Sequence, residues 1–115
     1  MVFMRQNEAW LIDLDPTKGA EIRKTRPAVI VNDDGLGKLP LKIIVPITDW
    51  KEHYKIAPWM VKINLSVSNG LAKVSSADCF QIRSLSQKRL IKKIGFIDIN
   101  TLQEIKEAIK RVLSL

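Results

Sequence analysis

From Glu8 to Leu14 apolar and polar positions alternate: Trp10, Ile12 and Leu14 fall on one side, Leu11 and Asp13 on the other, which is the period of a half-buried strand. Pro16 ends it, because proline has no N–H for a ladder. Arg26 to Val31 finishes in four apolar residues, Ala28-Val-Ile-Val31, and predicts a second strand covered on both faces. Asn32-Asp-Asp-Gly35 reads as a turn. Lys42 to Thr48 is a third strand, in which Pro46 demands an edge, a bulge or a strand end. Met60-Val-Lys-Ile63 is a fourth, with Lys62 outward, and Ser66 to Gly70 a turn. Ala72 to Ile82 holds two short strands or one bent one. Ser84 to Arg89 is expected as a single helical turn, and Ile91 to Ile97 as a last strand kinked or bulged at Gly95. Leu102, Ile105, Ala108, Ile109, Val112 and Leu113 then recur at helical spacing. Asn100 or Thr101 is expected to cap that helix, with Gln103 or Glu104 for a capping box. Lys110 and Arg111 suit its negative end. Short strands before one terminal helix predict a mainly β fold, a small twisted sheet or partly open barrel.

No repeat or linker interrupts the pattern, so residues 1–115 are expected to form one domain, long enough to bury a core. Charge changes the picture more. Nineteen lysines and arginines against 12 acids give a net charge of +7, which favours a polyanion such as nucleic acid, or an acidic protein. A single cysteine, Cys79, leaves no intrachain disulfide and fits a reducing compartment. No apolar run approaches the roughly 18 residues of a membrane helix. The first residues lack a signal-peptide core, so the expected location is the cytoplasm. One histidine, His53, and one cysteine do not make a structural zinc site, and paired-histidine RNA cleavage is excluded. No Gly-rich nucleotide loop is present, and no cofactor is expected.

The candidate chemistry gathers between the first two strands. Lys18, Arg23, Lys24 and Arg26 stand there against one acid, Glu21, and Gly19 lets the backbone come close to whatever docks. A basic loop pinned between core strands suits a phosphate. Arg26 sits where the loop enters the buried strand, and its guanidinium offers a planar fork to two phosphate oxygens. Lys18 and Lys24 are plain phosphate contacts. Glu21 is open to three roles: positioning Arg23 or Arg26, accepting from a base edge, or taking a proton. From Asp49 to Trp59 aromatics interleave with lysines. They either stack unpaired bases or fold back over the core.

Leu14-Asp-Pro-Thr-x-Gly-x-Glu followed by Thr25-Arg-Pro-Ala-Val, then Val45-Pro-Ile-Thr48, then Gln81-Ile-Arg-Ser with Lys88-Arg89-Leu90 beyond, resemble in order the motifs of the MazF/PemK family of toxins. The resemblance covers about Glu8 to the C-terminus. It implies an SH3-like β-barrel with appended helices, including a C-terminal α-helix. It implies a sequence-selective, metal-independent endoribonuclease that cuts single-stranded RNA, such as messenger RNA, independently of the ribosome. The ribose 2′-hydroxyl attacks the adjacent phosphorus, leaving a 2′,3′-cyclic phosphate and a 5′-hydroxyl. It also implies a homodimer neutralised by a cognate antitoxin. On this resemblance Thr48 stands beside Arg26 at the scissile phosphate, and Gln81, Arg83 and Ser84 form a second strip of RNA contact. Two departures stand out. Some relatives have histidine where this chain has Ala20, and many have an acid where it has Phe80. The rival readings are a toxin of this fold that poisons DNA gyrase, and a non-catalytic nucleic-acid-binding barrel.

Overall fold

The computed structural model describes residues 3–115, so Met1 and Val2 of the stretch read for a signal peptide lie outside the described residues. Seven strands precede one helix: β1 (Glu8–Asp13), β2 (Thr25–Ile30), β3 (Leu41–Asp49), β4 (Met60–Ile63), β5 (Ser75–Asp78), β6 (Arg83–Ser86), β7 (Leu90–Phe96) and α1 (Ile99–Leu113). They form one antiparallel sheet in the order β4-β5-β3-β2-β1-β7, with β6 added beside the start of β3. The mainly β fold with a C-terminal helix is as expected, but β4 and β7 do not pair, so the sheet is not closed.

The apolar run of β2 explains why the sheet has two cores. Successive side chains of a strand point to opposite faces. Ala28 and Ile30 join Trp10, Ile12, Leu14, Ile44, Leu85 and Leu90 on one face. Val29 joins Val45, Ile47, Val61, Ile63 and Ala77 on the other, where α1 adds Leu102, Ile105 and Ala108. Ile105 is fully buried there. Ile105→Ala is expected to cost about 2–5 kcal/mol, read as a lower urea midpoint.

Pro46 lies inside β3, where an edge, a bulge or a strand end was expected, and the pairing supplies a local edge. Ile43 donates its N–H to Asn32 Oδ1 and accepts at its carbonyl from Val31 N, so odd-numbered β3 residues face the β2 side. The N of Pro46 therefore faces away from β2. On that side β6 pairs with β3 only as far as Ile44, and β5 begins at Ile47. The missing donor falls in the gap between two partner strands, so no ladder bond is lost.

Three local expectations are corrected. Asn100 and Thr101 lie within α1, and Asp98 is the cap, accepting from Thr101 N (2.7 Å) and Thr101 Oγ1 (3.1 Å). Its carboxylate satisfies two donors at the positive end of the helix, which a capping box begun later leaves unpaired. Ser84 to Arg89 is not a helical turn. Arg83–Ser86 pairs with Leu41–Ile44, so long-range ladder bonds override the local preference, and only Gln87–Arg89 turns. The last strand runs Leu90–Phe96 instead of Ile91 to Ile97; the bulge expected at Gly95 is present, with Ile94 as its extra residue, and a second falls at Ile91.

Glu8 is a buried acid at the start of β1. Its carboxylate accepts from Arg5 N (2.9 Å) and Trp10 Nε1 (3.0 Å) and pairs with Lys93 Nζ (3.0 Å). Burial pushes its pKa up, but these three donors outweigh it and hold the group below the ordinary carboxylate value. A depressed folded pKa stabilises the fold above the unfolded value and ceases to do so as pH falls through the lowered one. Wild-type melting temperature should therefore drop on acidification more steeply than that of Glu8→Gln, as thermal melts between pH 7 and pH 3 will show.

Candidate functional site

The loop between β1 and β2 is folded by its own side chains. Leu14 donates its N–H to Lys24 O (3.1 Å), and Lys24 N–H bonds Asp15 Oδ1 (3.0 Å), closing the base of the loop. Lys24 takes a left-handed φ of 69° to do so. Near the tip Glu21 Oε1 accepts from Lys18 N (2.6 Å), and Lys18 O accepts from Glu21 N (3.2 Å). Gly19, at φ 57°, makes the tight turn between them, with open space where a side chain would stand. Glu21 thus shapes the loop, and among the described residues it makes no ion pair with Arg23 or Arg26. Arg83 Nη1 donates to Leu14 O (3.4 Å) and Arg89 Nη1 to Asp13 O (3.2 Å) and to Asp15 O, which ties the end of β1 to β6 and the turn after it.

Beside this loop lies a cleft of about 530 Å³, walled by Leu14, Ala20, Glu21, Ile22, Pro46, Phe80, Gln81, Ile82 and Arg83. It opens where β3 lacks a neighbour, so the break at Pro46 also makes the cleft. A larger hollow of about 660 Å³, near Arg5, Lys38 and Lys42, contains none of the candidate residues. The site is placed at the smaller one, which is lined by the candidate residues Glu21, Gln81 and Arg83.

Register shows which side chains share the sheet face of Pro46. Ala28 pairs with Pro46, and Arg26 and Thr48 lie two residues beyond on the diverging ends of the same strands, so both stand on the Pro46 face. Arg83 pairs with Ile44 and joins that face, whereas Ser84 pairs with Ile43 and stands on the other. Arg26 is half-buried, and its Nε–H bonds Arg23 O (3.4 Å), while among the described residues its two terminal nitrogens make no hydrogen bond or ion pair. Thr48 pairs with Ser76 on β5, and Ser76 with Lys62 on β4. A polar row thus crosses the sheet from Arg26 to Lys62. Lys18 and Lys24 are exposed on the loop.

Gln81 is held at both ends. Its Oε1 accepts from Ile22 N (2.6 Å) and its Nε2 donates to Asp78 Oδ2 (3.0 Å), while Asp78 Oδ1 accepts from Phe80 N (3.2 Å). Burial raises the pKa of Asp78, partly offset by the Gln81 amide and the Phe80 N–H. The neighbouring Cys79 thiol is pushed up to about 12 by burial and by Asp78, so it is inert as a nucleophile.

The aromatic loop divides between its two readings. Trp50, His53 and Tyr54 pack on one another, at 5.9 Å and 4.7 Å between ring centres, and Lys62 sits over the Trp50 ring. Trp59 instead meets Phe80 edge-on at 6.0 Å. That pair stays open to solvent, Trp59 at 38% and Phe80 at 65% exposure, and Phe80 forms part of the cleft wall. Sequence reading missed Asp78, Phe80 as an aromatic wall, and Lys62 as the end of the polar row. Asp78 carried one signal, an acid three residues before Gln81 at the start of a tight turn. The other two depend on strand register.

A basic β fold with an arginine and a threonine on one sheet face, beside a self-folded basic loop, suits contact with a polyanion. The chain belongs to the family of PemK-like, MazF-like toxins of type II toxin–antitoxin systems, which matches residues 5–113. It is 33% identical over 118 residues to Endoribonuclease MazF9 of Mycobacterium tuberculosis, covering 97% of this chain and 98% of the relative. It is 35% identical over 113 residues to Endoribonuclease MazF of Staphylococcus epidermidis, covering 97% and 92%. Among solved structures, MazF from Deinococcus radiodurans superposes with a TM-score of 0.81 at 18% identity, over 100% of both chains. An endoribonuclease from Mycobacterial species in complex with its cognate antitoxin gives 0.75 at 17% identity, covering 98% and 97%.

Proposed function

We propose that this chain, acting as one domain, is the toxin of a toxin–antitoxin pair and cuts single-stranded RNA at selected sequences. The observation that carries this reading is that Arg26 and Thr48 share the sheet face of Pro46, which lines the cleft, on two strands whose register fixes them. The substrate's 2′-hydroxyl attacks the adjacent phosphorus, and the bond to the 5′-oxygen of the next nucleotide breaks. Negative charge grows on the non-bridging oxygens. The two free nitrogens of Arg26 grip those oxygens, and the Thr48 hydroxyl adds a third donor. Glu21 lines the same cleft with one carboxylate oxygen bonded to Lys18 N and the other open, and it is assigned the 2′-hydroxyl proton. Lys18, Lys24 and Arg83 hold flanking phosphates, with Gly19 giving the chain room to approach. Ser84, on the far face, is left out of this contact set.

The Trp59–Phe80 pair offers a ring face to an unpaired base. Phe80→Ala is expected to weaken binding of a 2′-deoxy RNA analogue by about 1–3 kcal/mol, the usual worth of a stacked base. Unchanged affinity in a binding isotherm would remove the pair from the RNA path. A basic cleft is most simply silenced by an acidic, partly disordered segment that folds on it, and a cognate antitoxin of that kind is the assigned protein partner. The active form is assigned as a homodimer in the cytoplasm. No described helix is long and apolar enough to cross a membrane.

The direct experiment incubates purified protein with a long defined RNA and sequences the new ends. Cuts at a recurring short motif, abolished by the cognate antitoxin, are expected. Intact RNA together with trapped gyrase–DNA complexes would replace this reading with gyrase poisoning, and intact RNA that is merely bound would replace it with a non-catalytic barrel.

A further inference from the structure

Between residues 16 and 22 the loop makes one hydrogen bond to another part of the described chain, from Ile22 N–H to Gln81 Oε1 at 2.6 Å across 59 residues of sequence. Everything else at the loop tip bonds within the loop. The seating of the loop tip, and with it the Glu21 side chain that lines the cleft, therefore depends on which way the Gln81 amide is turned.

We propose that Asp78 is a positioning residue: its carboxylate locks the Gln81 amide with the carbonyl toward Ile22, and so latches the loop beside the cleft. This rests on the reading of Glu21 as the group that takes the 2′-hydroxyl proton. The bonds run in one direction only. Ile22 N–H can only donate, so Gln81 must present its oxygen there and its NH₂ to Asp78. Asp78 must then accept from Gln81 Nε2 (3.0 Å) and from Phe80 N (3.2 Å) at the same time. Only an ionised carboxylate of this length accepts at both ends. Asp78 is 6% exposed, so little water reaches it to stand in for a lost partner. The Gln81 amide keeps one N–H and one lone pair for whatever enters the cleft.

The polarity argument makes an exchange of groups diagnostic. In Asp78→Asn the amide must turn its oxygen to Phe80 N, so its NH₂ meets the Gln81 NH₂. Gln81 can escape only by flipping, which sets its NH₂ against Ile22 N–H. In Gln81→Glu two carboxylate oxygens face each other where the 3.0 Å bond was. In Asp78→Asn/Gln81→Glu every donor again meets an acceptor, and the net charge is that of the wild type.

The test measures two quantities on wild type, both single variants and the double variant at pH 8. One is amide exchange at Ile22 by NMR. The other is single-turnover cleavage beside affinity for a 2′-deoxy RNA analogue. Each single variant should lose Ile22 protection about 10-fold or more, as a local opening requires. Each should also cut about 10- to 100-fold more slowly at saturating enzyme, and Asp78→Asn should do so with nearly unchanged affinity, as a misplaced catalytic loop does. The double variant should recover both protection and rate. If Asp78→Asn keeps wild-type protection and rate, or the double variant is no better than the worse single, the latch is wrong and Asp78 only caps the Phe80 turn. If a single variant fails to fold, recovery of the fold and of Ile22 protection in the double variant decides the matter. If wild type itself cuts no RNA, the functional reading fails, and Ile22 exchange across the four proteins still decides the latch.

Discussion

Arg26→Lys should still bind RNA and fail to cut it. The substitution keeps the positive charge at a half-buried site at the start of β2, so the long-range attraction to phosphate persists. It removes the planar fork. A lysine ammonium is a point charge on a flexible stem and cannot hold two oxygens in fixed directions. One misplaced transition-state donor costs about 10²–10³ in rate, and that loss is expected in single-turnover cleavage at saturating enzyme. A guanidinium offers only donors in a fixed planar fork, so Arg26 is assigned a grip on charge and no proton-transfer role. Lys18→Ala should do the reverse, weakening binding and its salt dependence while sparing the chemical step. Near wild-type cutting by Arg26→Lys would show that a point charge suffices. Equal loss of cutting and binding would make Arg26 a docking residue and move the chemistry to Thr48 and Glu21.

Gly70→Ala should destabilise the fold far more than Gly19→Ala, although both glycines are left-handed. At Gly70, φ is 67° and an added Cβ would stand 2.0 Å from Ile94 O, a backbone atom of β7. At Gly19, φ is 57° and nothing lies within 4 Å. Each pays about 1–2 kcal/mol for the left-handed backbone. Gly70 adds the cost of overpacking, about 1–3 kcal/mol, for a total near 2–5 kcal/mol. The contact is reciprocal: Gly95 approaches Ser68 O, where a Cβ would be 2.2 Å away, and Phe96 N donates to that same oxygen at 2.9 Å. The turn and β7 meet backbone to backbone, and no rotamer change relieves the clash. Equal urea midpoints for the two variants would refute this packing.

The elements that sequence predicted well are those whose own period carries the signal. Trp10, Ile12 and Leu14 are buried and Asp13 exposed, as strict alternation requires, and Leu102, Ile105 and Ala108 bury one face of α1. What failed depended on partners far along the chain. Residues 83–86 became a strand because β3 supplied a ladder about 40 residues earlier, and Pro46 was tolerated because two other strands part beside it. The site was legible in the same uneven way. The basic loop and Arg26 could be read from charge and position. Thr48 gained weight only from the resemblance, because its place on the Arg26 face follows from the β2–β3 register. Asp78 stayed hidden because its effect reaches the loop through Gln81, and nothing local announces a bond to Ile22.

The most direct test of RNA cleavage by the substrate's own hydroxyl uses two oligonucleotides in excess chelator. One is all-ribose and contains the mapped cleavage motif. The other differs by a single 2′-deoxy sugar on the 5′ side of the scissile phosphate. The account predicts that the first is cut to a 2′,3′-cyclic phosphate and a 5′-hydroxyl, while the second is bound with similar affinity and stays intact. Cutting of the deoxy-substituted strand, or activity that vanishes in chelator and returns only with a specific divalent ion, would contradict it.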